Sequence, residues 1–190
     1  MTSVRILWLM LCLVWIAAEF VLARRSVADA GQILVTERRS QRWLWLSVLG
    51  SLGLALLFKT LAWAPIPIAY LPRQVVAMLL FAAGLYLRYQ AVSRLGRFFT
   101  THVAIHTEHQ LIKDGPYRWL RHPAYTGLLV ALCGAGLAMG DFIGWLMLIG
   151  PIFWAFKARI EIEERMLHDQ FGDVYRDFSK TTWKLLPWVY

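Results

Sequence analysis

Five runs of apolar residues, covering 4–23, 43–64, 75–95, 125–140 and 142–156, leave this chain few folds to choose from. The first three have about the length a bilayer needs, roughly twenty residues, and the last two are shorter. No water is available in the hydrocarbon region to satisfy backbone N–H and C=O groups, so segments of this kind cross as helices. The overall balance agrees: 58% of the 190 residues are hydrophobic, against about 45–50% for an ordinary soluble domain. The expected fold class is therefore all-α, a polytopic membrane bundle of about five transmembrane helices. A cleaved signal peptide is the competing reading of run 4–23, but Arg24 and Arg25 follow it where a small-residue cleavage site would be needed.

Charge orients the bundle. Arg24, Arg25, Arg38, Arg39 and Arg42 crowd the first polar loop, and Arg88, Arg94 and Arg97 mark the end of the third run. The positive-inside rule puts both ends, and the C-terminus with them, on the cytoplasmic side. The turn at 64–72, rich in proline, lies outside. The same logic accounts for the net charge of +8 through membrane orientation and anionic lipid, so no nucleic-acid partner is expected. Glu19 lies inside the first run and is expected to pair with Arg24 or Arg25 near the helix end, with a functional role within the bundle as the alternative. Arg88 is expected to snorkel, with reach to a site at the inner interface as the alternative. Cys12 and Cys133 both fall in apolar runs and offer neither a disulfide framework nor a cysteine metal site.

The last two runs are separated only by Gly140-Asp141, which makes them an antiparallel hairpin whose short arms leave room for a lateral gap. Helical periodicity then continues past the bilayer to Phe171-Gly172, with Ile160, Glu163, Glu164, Leu167 and Phe171 on one stripe. Two carboxylates on a face that should be buried need partners. Arg159, four residues before Glu163, is in range of one. Beyond it, the aromatic and basic tail with Trp183, Trp188 and Tyr190 reads as an interfacial anchor.

Between the third and fourth runs lies the long polar interval, and its segment from His109 to Gly127, HQLIKDGPYRWLRHPAYTG, is the most structured by covalent chemistry. Gly115-Pro116 forces a turn, and Pro123 biases His122 away from helix. Upstream, His102, His106 and His109 have a spacing that could hold a metal on a helix, but Val103 and the neighbouring Thr and Phe residues favour extended structure, so no metal site is expected. Gly134, Gly136 and Gly140 are read as small residues for close helix packing rather than a dinucleotide loop.

Taken in order, Leu95-Gly96-Arg97-Phe98-Phe99-Thr100, Gly115-Pro116-Tyr117-Arg118, Arg121-His122-Pro123-x-Tyr125-x-Gly127, Arg159-Ile160-x-x-Glu163-Glu164-x-x-Leu167 and Phe171-Gly172-x-x-Tyr175 resemble the isoprenylcysteine carboxyl methyltransferase family and its phospholipid methyltransferase relatives. The resemblance covers roughly the C-terminal half. It implies S-adenosylmethionine as methyl donor, bound between the polar loop and the C-terminal helix, and a division into an N-terminal three-span region (1–95) and a catalytic region (96–190) forming one domain together. Carried over residue by residue, it implies a cofactor wall of His109, Leu111, Gly115, Tyr117, Arg121, His122, Pro123, Tyr125 and Glu163. Arg159, Glu163 and Glu164 become the catalytic candidates, with Arg159 orienting the acceptor's carboxylate and the two glutamates interchangeable between donor and acceptor sides. The expected acceptor is a prenylated cysteine or a similar lipid-borne group, with no obligate protein partner. An amine or thiol acceptor and a non-catalytic lipid-binding module are the competing readings.

Overall fold

A computed structural model describes residues 2–28, 33–37, 39–99, 103–106 and 110–187. Helix α1 (Thr2–Ala28) leads through strand β1 (Ile33–Glu37) to α2 (Arg39–Leu61) and α3 (Tyr70–Leu95). A short 3-10 turn, strand β2 (Val103–His106) and a second 3-10 turn (Gly115–Arg118) form the polar interval, and α4 (Pro123–Met139), α5 (Phe142–Phe171) and α6 (Asp173–Lys180) complete the chain. The helical membrane class holds. Among the described residues four helices, α1, α2, α3 and α5, are long and apolar enough to span, and α4 is a shorter apolar helix of 17 residues.

The hairpin expected at Gly140-Asp141 is present, and Asp141 explains its tightness. The buried carboxylate of Asp141 caps α5 by accepting from the Gly144 N–H at 2.8 Å and takes the Ala64 N–H at 2.8 Å. Phe142 N–H in turn donates to Ala64 O, and Ile66 N–H to Gly140 O. The turn between α2 and α3 is thereby tied to the turn between α4 and α5 at one end of the bundle. At the other end, β1 pairs antiparallel with β2, Glu37 opposite Val103 and Thr36 opposite Ala104. This ribbon joins the two basic loops on one side. Extended backbone at 103–106 agrees with the expectation for that histidine-containing stretch, while His102 and His109 lie outside the described residues.

Close approach of α3 and α4 rests on missing side chains. A Cβ on Gly84 would lie 2.4 Å from Ala131 N, and one on Gly127 would lie 2.5 Å from Gly84 O and 2.6 Å from Arg88 N. Gly134 is equally pressed against Ala77 O. In lipid, where apolar surface gains little by leaving its surroundings, such contact is what binds helix to helix. Gly134 therefore packs as the sequence suggested, and Gly136 faces the Trp145 ring. A core of Ala55, Leu129, Leu148, Ile152, Phe156, Ile160 and Leu185 draws on α2, α4, α5 and the tail, so packing crosses position 95 freely.

Two expectations are corrected. Glu19 pairs with Arg88 of α3 rather than with Arg24, whose guanidinium sits 4.3 Å from the Phe20 ring centroid. Arg88 does not snorkel; it is buried, because Glu19 lies at its own depth and a paired guanidinium needs no water. The described part of the tail does more than the anchoring expected of it: the Trp183 ring stays exposed, while the backbone around it is drawn onto the polar loop. Residues 181–185 strap across the polar loop, with Leu185 fully buried, since the loop's backbone groups need hydrogen-bond partners; Trp188 and Tyr190 lie outside the described residues.

Candidate active site

The loop that carries the Arg-His-Pro motif is held by its backbone. Gly115 takes φ +58°, a conformation that glycine alone adopts at little cost, and opens the 3-10 turn that buries Tyr117. Trp183 N–H donates to Trp119 O, Arg121 N–H to Trp183 O at 2.7 Å and His122 N–H to Lys184 O at 3.1 Å. The strap thus clasps residues 119–122 as a short ladder. His122 adopts φ −125°, ψ 55°, off the helix as its following proline demands, and Pro123 starts α4. Thr126 Oγ1 closes the corner by donating to Leu185 O at 2.7 Å.

Against this corner, one turn of α5 presents Arg159, Glu163 and Glu164. Arg159 Nε donates to Tyr125 Oη at 2.6 Å and to Glu163 Oε1 at 3.2 Å, while the Tyr125 hydroxyl donates to Glu163. His122 bridges the two carboxylates, Nδ1 lying 3.4 Å from Glu163 Oε2 and Nε2 lying 3.3 Å from Glu164 Oε1. Arg121 Nε reaches Glu164 Oε1 at 2.7 Å, with its Nη1 on Ser179 O and Thr182 O, and Lys184 Nζ approaches Glu164 Oε2 at 3.5 Å. Burial alone would push the His122 pKa down, but hydrogen bonds to Glu163 and Glu164 and their charges outweigh it, so the imidazole is held above its ordinary value. With an acceptor at both ring nitrogens, the imidazolium is the form this geometry suits. Tyr117 stays a phenol: burial, and then the charge of Glu163, push its hydroxyl pKa up.

A cavity of about 650 Å³ opens beside this network. Leu111, Tyr117, Arg121, His122, Tyr125, Arg159 and Glu163 all reach its wall. Glu164 does not; it sits behind His122 and Arg121, which it fixes. Nor do Gly115 and Pro123 line it. Gly115 shapes the turn beside the Arg94 side chain, and Pro123 is fully buried beneath the loop. His109 lies outside the described residues.

Much of the remaining cavity wall comes from residues outside the quoted motifs. Trp15, Glu19 and Phe20 of α1, Leu44, Trp45 and Val48 of α2, and Arg88 of α3 all contribute. Sequence reasoning placed none of these among the site residues, keeping a role within the bundle for Glu19 and a reach to an inner-interface site for Arg88 only as alternatives. The available signal was the pair of charges, Glu19 and Arg88, placed within apolar runs where ionisable residues are expensive and rarely idle.

The family model for the isoprenylcysteine carboxyl methyltransferase (ICMT) family matches residues 75–169. Over 118 residues the chain is 31% identical to the protein-S-isoprenylcysteine O-methyltransferase of Schizosaccharomyces pombe, covering 61% of this chain and 50% of that protein. A probable enzyme of the same name from Oryza sativa is 31% identical over 60% of this chain and 61% of its own length. The methanethiol S-methyltransferase of Mycobacterium tuberculosis is 36% identical over 72 residues, 38% of this chain and 28% of that protein. In structure the chain resembles the eukaryotic intramembrane Ras methyltransferase ICMT, with a TM-score of 0.58 at 22% identity over 82% of this chain and 55% of that one, a likeness of fold. The chain spans about half the length of the first of these curated relatives. The matched segment runs from α3 through nearly all of α5 and contains the whole Arg121–His122–Tyr125–Arg159–Glu163–Glu164 network, so the chain belongs to the isoprenylcysteine carboxyl methyltransferase family.

Proposed function

We propose that this protein is a membrane methyltransferase that uses S-adenosylmethionine to methylate the carboxylate of a prenylated cysteine or a similar lipid-borne acceptor. The observation that carries the reading is a cavity whose wall holds both Arg159, Glu163 and His122 and apolar side chains of α1 and α2. A polar reacting group on an apolar chain needs both surfaces in one space. The chemistry resides in the region 96–190, and the region 1–95 supplies much of the remaining wall.

The residues suit the donor. Its ammonium and carboxylate call for groups of both signs, supplied by Glu163 and by Arg121 and His122, and its nucleoside calls for aromatic and aliphatic faces such as Tyr117, Leu111 and Phe178. When bound, S-adenosylmethionine supplies an electrophilic methyl group on a positively charged sulfur. An acceptor carboxylate is nucleophilic at neutral pH and requires no general base, so the protein's task is alignment and exclusion of water. Arg159, fixed through Nε by Tyr125 and Glu163, is the residue that aligns it. Glu163 holds Arg159 and Tyr125 in place, and Glu164 holds His122 and Arg121.

Labelled methyl donor and N-acetyl-S-farnesylcysteine test the reading. The expected product releases labelled methanol in mild base, as a methyl ester does. A base-stable product would move the acceptor to sulfur or nitrogen, in the manner that the methanethiol S-methyltransferase name describes for that relative. Purified protein that does not bind S-adenosylmethionine would overturn the enzyme altogether. We further propose that the catalytic face is cytoplasmic. Cysteine labelling at Ser40 and Ser179 in oriented membranes is expected to report one common side, the cytoplasmic one.

A further inference from the structure

We infer that the Glu19–Arg88 pair latches α1 across the cavity and makes that helix a specificity-determining wall for the acceptor's apolar chain. The inference rests on the methyltransferase reading and adds a role for a helix that lies before the matched family segment. Helix α1 is apolar along its length, yet none of its most apolar window is buried in the bundle. Its aromatic contacts are Trp8 and Trp15 set edge-on to the Phe81 ring at 5.4 and 5.7 Å, and Trp8 Nε1 also donates to Gln74 Oε1.

At the cavity the contact changes character. Arg88 Nε meets Glu19 Oε1 at 2.6 Å and Arg88 Nη2 meets Oε2 at 2.7 Å, a two-pronged pair. Tyr89 Oη and Trp15 Nε1 each donate to Oε1 at 3.2 Å. A carboxylate placed in a membrane helix and furnished with donors from two helices is built, not incidental. Both charged residues, with Trp15 and Phe20, line the cavity.

Two consequences follow from that position. The pair, with the Trp8–Gln74 hydrogen bond further along the helix, is a polar fastening of a helix that lipid would otherwise compete for, since α1 gains little by leaving lipid for protein. It also neutralises Arg88, so an apolar chain entering the cavity meets a closed wall and not a bare cation. Loss of the Glu19 charge opens the wall and exposes the cation together. Both harm a long apolar acceptor more than a short one.

The test compares N-acetyl-S-farnesylcysteine with N-acetyl-S-prenylcysteine as acceptors, with donor affinity measured by titration as the check on folding. Glu19→Gln is expected to lower the farnesyl-to-prenyl ratio of kcat/KM by tenfold or more, through KM of the farnesyl acceptor, while donor affinity stays within about twofold. The uncharged pair Glu19→Gln with Arg88→Met is expected to keep the fold and the reduced ratio, because the latch is gone. Exchanging the charges, Glu19→Arg with Arg88→Glu, is expected to recover the ratio. If the uncharged pair regains wild-type selectivity, the residues serve packing alone and the inference fails. If Glu19→Gln raises activity, Arg88 is instead an anion site that Glu19 blocks, and the inference fails too. A wild-type protein that binds no donor and methylates neither acceptor would sink the methyltransferase reading, a result distinct from either failure.

Discussion

Two parts of this molecule hold charge in an apolar setting, and they do so by different means. In the C-terminal half, Arg121, His122 and Tyr125 meet Glu163 and Glu164 in a network where each carboxylate has several partners and the loop is clasped by the strap at 181–185. In the N-terminal half, Glu19 meets Arg88 across 69 residues of sequence, on a helix otherwise held by Trp8, Leu11 and Trp15 against the Phe81 cluster and by one Trp8–Gln74 hydrogen bond. The network can be substituted piecemeal only at the expense of its neighbours, because removing one partner leaves another charge buried. The α1 latch is a single ion pair. The difference teaches that the quoted motifs mark where charge is shared among many groups, while an isolated pair outside them lines the same cavity.

The largest effect is expected at Arg159. Arg159→Lys keeps the charge but loses the planar fork, and turnover at saturating donor should fall by one to three orders of magnitude, about 1.4–4 kcal/mol, with donor affinity nearly unchanged. A fully active lysine variant would reduce the network to a scaffold and break the comparison from its catalytic side.

A second prediction concerns the helix crossing that the two regions share. Gly127→Leu would drive a side chain into Gly84 O and the Arg88 backbone, so it should cost about 1–3 kcal/mol in thermal unfolding and displace Arg88 from Glu19. Gly150→Ala, where a Cβ would meet nothing within 4 Å, is the control and should be neutral or slightly stabilising. Equal behaviour of the two variants would mean that close backbone approach does not fix the position of Arg88.

A smaller effect sharpens the comparison inside the network. His122→Ala should weaken S-adenosylmethionine binding by about tenfold, roughly 1.4 kcal/mol, without loss of membrane insertion. The same residue sets a pH dependence. Its folded-state pKa is raised, so its stabilising contribution is fully present below about pH 6.5, the ordinary imidazole value, and is lost as pH rises through the folded value. Thermal stability of the wild type should therefore decline over that interval, and the decline should be absent in His122→Ala. An identical decline in the variant would assign it to another group.

What the sequence determined by itself is what lipid and covalent geometry dictate. Apolar runs had to be helices, Gly140-Asp141 had to turn, Pro123 had to begin a helix with His122 outside it, and Gly172 had to end the helix that carries Arg159, Glu163 and Glu164; each is present. These are local constraints, readable within a few residues. Tertiary structure alone decided who pairs with whom. Glu19 had Arg24 within a helical turn and Arg88 far along the chain, and only the depth at which α1 and α3 lie side by side selects the second. Likewise the hydropathy pattern could not separate Glu163 from Glu164, because adjacent residues on a helix differ by about 100° in direction and the choice depends on what stands opposite. Tyr125 of α4 and Arg121 of the folded loop stand there on either side of His122, so Glu163 turns to the cavity and Glu164 to Arg121 and the strap. The strap itself was invisible for the same reason: its residues are aromatic and basic, a composition that suits the bilayer interface equally well, and the unpaired backbone groups that recruit it exist only once the loop has folded.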